Sequence, residues 1–291
     1  MKINRDERKN LMERRWFIRT FLLSSGALLT GMPQMFAMNN DPKLIKISMI
    51  YNNIGVSTTL TSVWGLSIWI EFGESALLFD TGGDASVLLK NMAELKLDFG
   101  KLKTIVVSHN HWDHINGLEA VLEKTAFQPN VYVPVSDLEE FKNKNPKANC
   151  IGVGEPMQIN DYCWSTGQLL FSGSSFRINE HALMLIQGDD LVLLTGCSHP
   201  GIVELTRRAK ETHPDKNIVL VAGGFHLNQY SEEQVQEISH KLKEMEVGRI
   251  APSHCTGTKA IAVFRNSWGE KFLDFNLGNH LNFNDSVLVS S

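Results

Sequence analysis

The segment His109-Asn110-His111-Trp112-Asp113-His114 holds three imidazoles and a carboxylate in six positions, just after the apolar run Thr104-Ile105-Val106-Val107. Nitrogen and oxygen donors of this kind suit zinc and similar divalent ions. Alternate side chains of an extended segment point in different directions, so His109 and His111 can grip one ion while Asp113 and His114 face a second. A solvated polar loop would assemble this set only by coincidence.

Polar clusters also close the other expected strands: Asp80-Thr81-Gly82-Gly83, Thr195-Gly196-Cys197-Ser198-His199-Pro200-Gly201, Gly223-Gly224-Phe225-His226 and Pro252-Ser253-His254-Cys255-Thr256-Gly257. Open sheets bind ligands beyond strand ends, where glycine lets backbone approach closely. Seven of the ten histidines fall in or beside this ring, namely His109, His111, His114, His181, His199, His226 and His254. Scattered core histidines would not choose strand ends so consistently.

Strands and helices must alternate to place these clusters. Residues 43–51, 64–72 and 76–79 read as strands, and in the second Trp64, Leu66, Ile68, Ile70 and Phe72 occupy one side of a period-two pattern. A helix is expected at 85–95, the motif strand at 104–107, helices at 117–124 and 137–143, and a strand at 130–135. The Gly- and Pro-rich stretch Asn145–Gly167 reads as an insertion or substrate-shaping loop, as does the Tyr51–Trp64 connection. Strands at 169–178, 182–187 and 191–195 suggest a second sheet. Helices at 201–211, 231–245 and 259–268, with strands at 218–222 and 249–251, complete the body. Val235, Ile238, Leu242 and Met245 recur at helical spacing and mark a buried face.

Together these motifs resemble the metallo-β-lactamase-fold superfamily of metallohydrolases over nearly everything after the N-terminal segment. The resemblance implies an α/β fold, an αββα four-layer sandwich of two mixed sheets flanked by helices. It implies that His109 and His111 hold a first ion, Asp113, His114 and His254 a second, and that Asp80 supports the site by accepting a hydrogen bond from a ligand histidine. The middle of the family pattern is altered: Cys197 stands where a bridging aspartate is expected, and His199 follows. We expect His199 as the third ligand of the first ion, with His181 as the alternative. Cys197 is a candidate ligand or a buried thiol behind the ligands. His226 is a candidate substrate-facing or proton-transfer residue, and Asp113 could also orient the attacking water.

Gly-Cys-Ser-His-Pro-Gly, Gly-Gly-Phe-His and Ser-His-Cys-Thr-Gly narrow the resemblance to the branch that includes the archaeal dihydropterin-ribofuranosyl-aminobenzene-phosphate synthase of methanopterin biosynthesis. The expected function is a metal-dependent hydrolase, with two zinc ions, or manganese, magnesium or iron in their place, activating water against an ester, lactone, amide or phosphoester of a small molecule. A transferase of the branch's kind is the alternative, and a non-catalytic periplasmic metal-binding protein is a second alternative from another class.

The 291-residue chain is 43 % hydrophobic, enough for a sizeable core. Residues 1–20 carry seven Lys or Arg against three acids, leaving 21 basic and 29 acidic residues elsewhere. So acidic a body has no chain-wide electrostatic reason to bind nucleic acid, and the expected partner is a small-molecule substrate. Arg14-Arg15 followed by Phe21–Leu29 resembles a twin-arginine export signal, cleaved near Ala37. Its apolar stretch is too short for an ordinary membrane span, and no stable span is expected after its removal. The expected organisation is a signal at 1–37, a single domain at 38–291 and a periplasmic location. Four cysteines are too few for a disulfide scaffold, although Cys150 and Cys163 could pair in an oxidising compartment.

Overall fold

Along the strand Leu66–Phe72, Leu66, Ile68 and Ile70 enter one buried cluster and Trp69 enters another. Along Asp190–Thr195, Val192 and Leu194 part in the same way from Leu191 and Leu193. Strands apolar on both faces need cover on both, so two sheets stack face to face and helices close their outer sides. The computed structural model shows this four-layer αββα sandwich; it describes residues 44–55, 57–172, 177–284 and 287–290. The expected signal segment lies outside the described residues.

The strands in chain order are β1 (Ile45–Asn52), β2 (Leu66–Phe72), β3 (Ser75–Phe79), β4 (Leu102–Val106), β5 (Asn130–Pro134), β6 (Asn149–Val153), β7 (Met157–Asn160) and β8 (Cys163–Ser165). There follow β9 (Leu169–Ser172), β10 (Arg177–Glu180), β11 (Leu183–Gln187), β12 (Asp190–Thr195), β13 (Asn217–Gly224), β14 (Ile250–Ser253), β15 (His280–Asn284) and β16 (Val287–Ser290). The first sheet runs β16-β15-β1-β2-β3-β4-β5-β6 and the second β14-β13-β12-β11-β8-β7, while β9 and β10 pair as a separate hairpin. Between the sheets, Ile47, Leu66, Ile68, Phe79 and Val106 meet Leu185, Val192, Leu194 and Leu220.

Helices α1 (Ala85–Glu94), α2 (Trp112–Ile115), α3 (Leu118–Lys124) and α4 (Leu138–Lys144) belong to the first half, and Leu88, Met92, Val121 and Phe141 cover the first sheet's outer face. In the second half, α5 (Ile202–Thr212), α6 (Glu232–Glu244) and α7 (Thr258–Trp268) cover the other sheet with Leu205, Val235, Leu242 and Phe264. Ser231 caps α6 through a reciprocal pair with Gln234, which fixes where that helix begins.

Four expectations need correction. The stretch Asn145–Gly167 is not a loop: β6 extends the first sheet, and β7 with β8 forms the far edge of the second. The expected strand 169–178 is split between β9 and β10, with residues 173–176 outside the described set. Trp64 is not on the strand's apolar face; β2 starts at Leu66 and Trp64 is 44 % exposed. Cys150 and Cys163 are free, since Cys150 packs beneath the helices and Cys163 between the sheets, on opposite sides of the first sheet.

The arrangement of directions matters most for chemistry. Strands β3 to β6 are mutually parallel, as are β12 to β14. Their carboxyl ends deliver Asp80, the His109–His114 segment, Cys197–His199, His226 and His254 to one place.

Candidate metal centre

Beyond β4 the chain leaves the sheet, bends at His109 and Asn110, and reaches His111, the N-cap of α2, whose own backbone is extended. His109 and His111 therefore project from the bent connection before the helix, whereas Asp113 and His114 come from its first turn. Among the described residues six non-glycine positions have positive φ, and four stand at this site: Asp80 (60°), Ser198 (64°), His226 (53°) and His254 (50°). Backbone strain concentrated in this way marks loops whose conformation the surrounding structure over-determines. Lys96 and Glu246 are the other two, each just past a helix end.

Four imidazoles are oriented by oxygen acceptors. Ser108 donates its hydroxyl to Asp80 Oδ2 (2.7 Å), so its oxygen accepts Nδ1–H of His109 at 2.9 Å. His114 Nδ1–H donates to Asp80 Oδ2 (2.7 Å), His199 Nδ1–H to Glu180 Oε2 (2.9 Å) and His254 Nδ1–H to Asn53 Oδ1 (2.7 Å). Each bond fixes the direction in which the ring's Nε2 faces, the arrangement by which a neighbouring oxygen orients a ligand histidine.

Five overlapping groups of three donor atoms, each within 4.8 Å, result among the described residues. Two of them hold only imidazoles and a carboxylate, namely His109, His111 and His199, and Asp113, His114 and His254. The other three all include Cys197, one with His199 and His226 and one with His254 and Cys255. His109 Nε2 and His111 Nδ1 face each other at 3.0 Å. His254 Nε2 is buried with no hydrogen-bond partner, although Asp113 Oδ2 stands 3.4 Å away. A buried polar atom is rarely left unpaired, so this orphan nitrogen and the all-imidazole and carboxylate donor set fit a divalent cation. Cys197 straddles the two groups: its Sγ lies 3.2 Å from His114 Nε2, and it falls within the same 4.8 Å as His109 and His114.

Two carboxylates are shifted in the same direction by neighbouring imidazoles. Burial pushes Glu180 up, but the imidazoles of His109 and His199 outweigh it and hold it below the usual carboxylate range. Burial likewise opposes ionisation of Asp113, and His254 and His114 reverse it. His114 resists protonation through burial yet is raised to about 9 by Asp80 and Asp113. His109, buried beside His114, is pushed well down.

His181 does not join the donors. Its Nε2–H donates to the Val107 carbonyl (2.8 Å) and its Nδ1 meets Ser165 Oγ at 2.7 Å, so both nitrogens are spent on the scaffold. Three residues that orient these rings lie outside the histidine and cysteine clusters: Ser108, Asn53 and Glu180. Glu180 is fully buried and accepts the backbone N–H groups of Cys197, Ser198 and His199 at 2.7–2.8 Å, shaping the whole loop. A lone acid between apolar strands was the only available signal. Gly196 belongs to the same loop for a packing reason, because a Cβ there would fall 2.0 Å from Ser108 Oγ.

His226 is exposed, its ring 4.4 Å from that of His199. Both line a cleft of about 290 Å³ walled by Phe171, Phe225, Leu227 and Tyr230. The arrangement can hold metal on one side of an open, largely apolar recess.

A family model described as the anti-Pycsar protein Apyc1 matches residues 49–189. The chain is 26 % identical over 273 residues to 7,8-dihydropterin-6-methyl-4-(beta-D-ribofuranosyl)-aminobenzene-5'-phosphate synthase of Methanocaldococcus jannaschii, covering 79 % of this chain and 93 % of that protein. Among solved structures it resembles Tm1679, a metal-dependent hydrolase of the beta-lactamase superfamily, at a TM-score of 0.69 and 25 % identity over 83 % of this chain and all of that one. It also resembles the metallo-beta-lactamase fold protein YhfI from Bacillus subtilis at a TM-score of 0.60 and 16 % identity, with the same coverage.

Proposed function

From the premise that this chain has the metallo-β-lactamase fold, we propose that it is a metal-dependent hydrolase with a two-ion centre, acting on an ester, lactone, amide or phosphoester of a small molecule. The observation that carries the reading is the convergence of oriented ring nitrogens, ending in the orphaned His254 Nε2, beside an open cleft. Two divalent ions held there would acidify a water and stabilise the negative charge developing on the attacked group.

His109, His111 and His199 would hold the first ion, and Asp113, His114 and His254 the second, with Cys197 between them. Asp80 and Glu180 fix ring orientation from behind. His226, reaching the cleft from the end of β13, is placed to pass a proton to the leaving group. Phe171, Phe225, Leu227 and Tyr230 would take the apolar body of the substrate. Export by the twin-arginine route, resting on Arg14-Arg15 and the apolar stretch after it, is part of the proposal.

The test is turnover of ester, lactone and phosphoester panels by zinc- or manganese-loaded protein, beside His226→Ala. We expect the variant to keep its metal content and lose about 100-fold or more in kcat. Folded, metal-loaded protein whose every coordination position is filled by side chains would sink the hydrolase reading. A second reading, a synthase, is favoured by the coverage of the archaeal relative, and detection of that relative's named product would select it.

A further inference from the structure

Within the second donor group Asp113 Oδ2 lies 3.7 Å from His114 Nε2 and 3.4 Å from His254 Nε2. The same oxygen accepts a hydrogen bond of 2.7 Å from the indole Nε1–H of Trp64. The Trp64 ring also lies over His254, with centroids 5.1 Å apart and planes inclined at 53°. A half-exposed tryptophan thus touches two of the three residues that would hold the second ion.

The backbone behind it cannot retreat. Gly65 has φ +136°, and a Cβ at that position would come 2.6 Å from the Asp113 carbonyl oxygen and 2.7 Å from the Tyr51 ring. Residues 64 and 65 are therefore clamped against the helix turn that carries Asp113, so the indole donor is delivered at fixed reach. Burial of an indole N–H ordinarily demands an acceptor, and here the acceptor chosen is the metal-facing oxygen itself.

Building on the two-ion reading, we infer that Trp64 is a positioning residue for the second metal site. Its N–H sets the rotamer of Asp113 so that Oδ2 points at the ion, and its ring keeps bulk water from His254. The first donor group receives nothing from Trp64, so its effect is selective. Loss of an outer hydrogen bond to a metal ligand typically weakens metal affinity about 10- to 100-fold.

The experiment is a stepwise Zn²⁺ titration of chelator-treated full-length protein and of Trp64→Phe, which keeps the ring over His254 and removes only the N–H. We expect the first ion to bind both proteins alike and the second to bind the variant about 10- to 100-fold more weakly. Wild-type affinity for both ions in the variant would overturn the assignment, as would equal weakening of both, which would mark a general effect on the scaffold. Wild-type protein that takes up a single ion would overturn the two-ion reading and this assignment with it, an outcome distinct from the other two.

Discussion

A buried thiol is an unusual neighbour for two sets of nitrogen and oxygen donors. Burial pushes the Cys197 thiol well up, so without metal it keeps its proton, and a bound ion is what would draw that proton off. With Sγ 3.2 Å from His114 Nε2, the thiolate would then lie within reach of the second group. Cobalt-substituted protein is expected to show near-ultraviolet thiolate-to-cobalt absorption that Cys197→Ser abolishes; a fully loaded wild type lacking that band would leave Cys197 a packed bystander. The candidate donors could be read from the chain because His109, His111, Asp113 and His114 lie in one short segment. Their acceptors could not, because Asn53 reaches His254 across 201 positions and Glu180 reaches His199 across 19, pairings that only folding creates.

Strand ends were legible because an apolar run followed by glycine and histidine states both where an element stops and what it carries. Edge elements were not. Short β6, β7 and β8 lie among Pro146, Gly152, Gly154 and Pro156, so turn chemistry masked their pairing, β6 with β5 and the β7–β8 hairpin with β11. His181 shows what such joints do: its backbone N–H donates to the Ser108 carbonyl (3.0 Å) and its ring joins the end of β4 to Ser165 of β8, tying the two sheets together beneath the site. Burial lowers its pKa from 6.5 to about 4, so the folded protein holds a neutral ring. Between those pH values the unfolded chain binds a proton that the folded one does not, hence stability is complete above about pH 6.5 and falls as pH drops toward 4. Two and a half pH units at about 1.4 kcal/mol each amount to ~3 kcal/mol. Denaturant unfolding should show the wild-type advantage over His181→Gln shrinking by that order across the window; a constant advantage would refute the neutral, scaffold-bound ring.

At the scale of the molecule, each proposed ion would be held from both sheets. His109, His111, Asp113 and His114 follow β4 of the first sheet, whereas His199 follows β12 and His254 follows β14 of the second. The folded chain brings these donors together and the unfolded chain scatters them over nearly 150 positions, so metal would bind the native state almost exclusively. Free metal at a thousandfold excess over its dissociation constant then adds about 4 kcal/mol of stability. For a body of this size each kcal/mol raises the melting midpoint by roughly 2–4 °C, so loaded protein should melt on the order of 10 °C above chelator-treated protein. The strained His254 sharpens the expectation, since a bound ion would help to hold its backbone in place. Calorimetry of the two forms under matched conditions decides the matter: equal midpoints would mean that the donor cluster is assembled without metal and contributes nothing to joining the sheets.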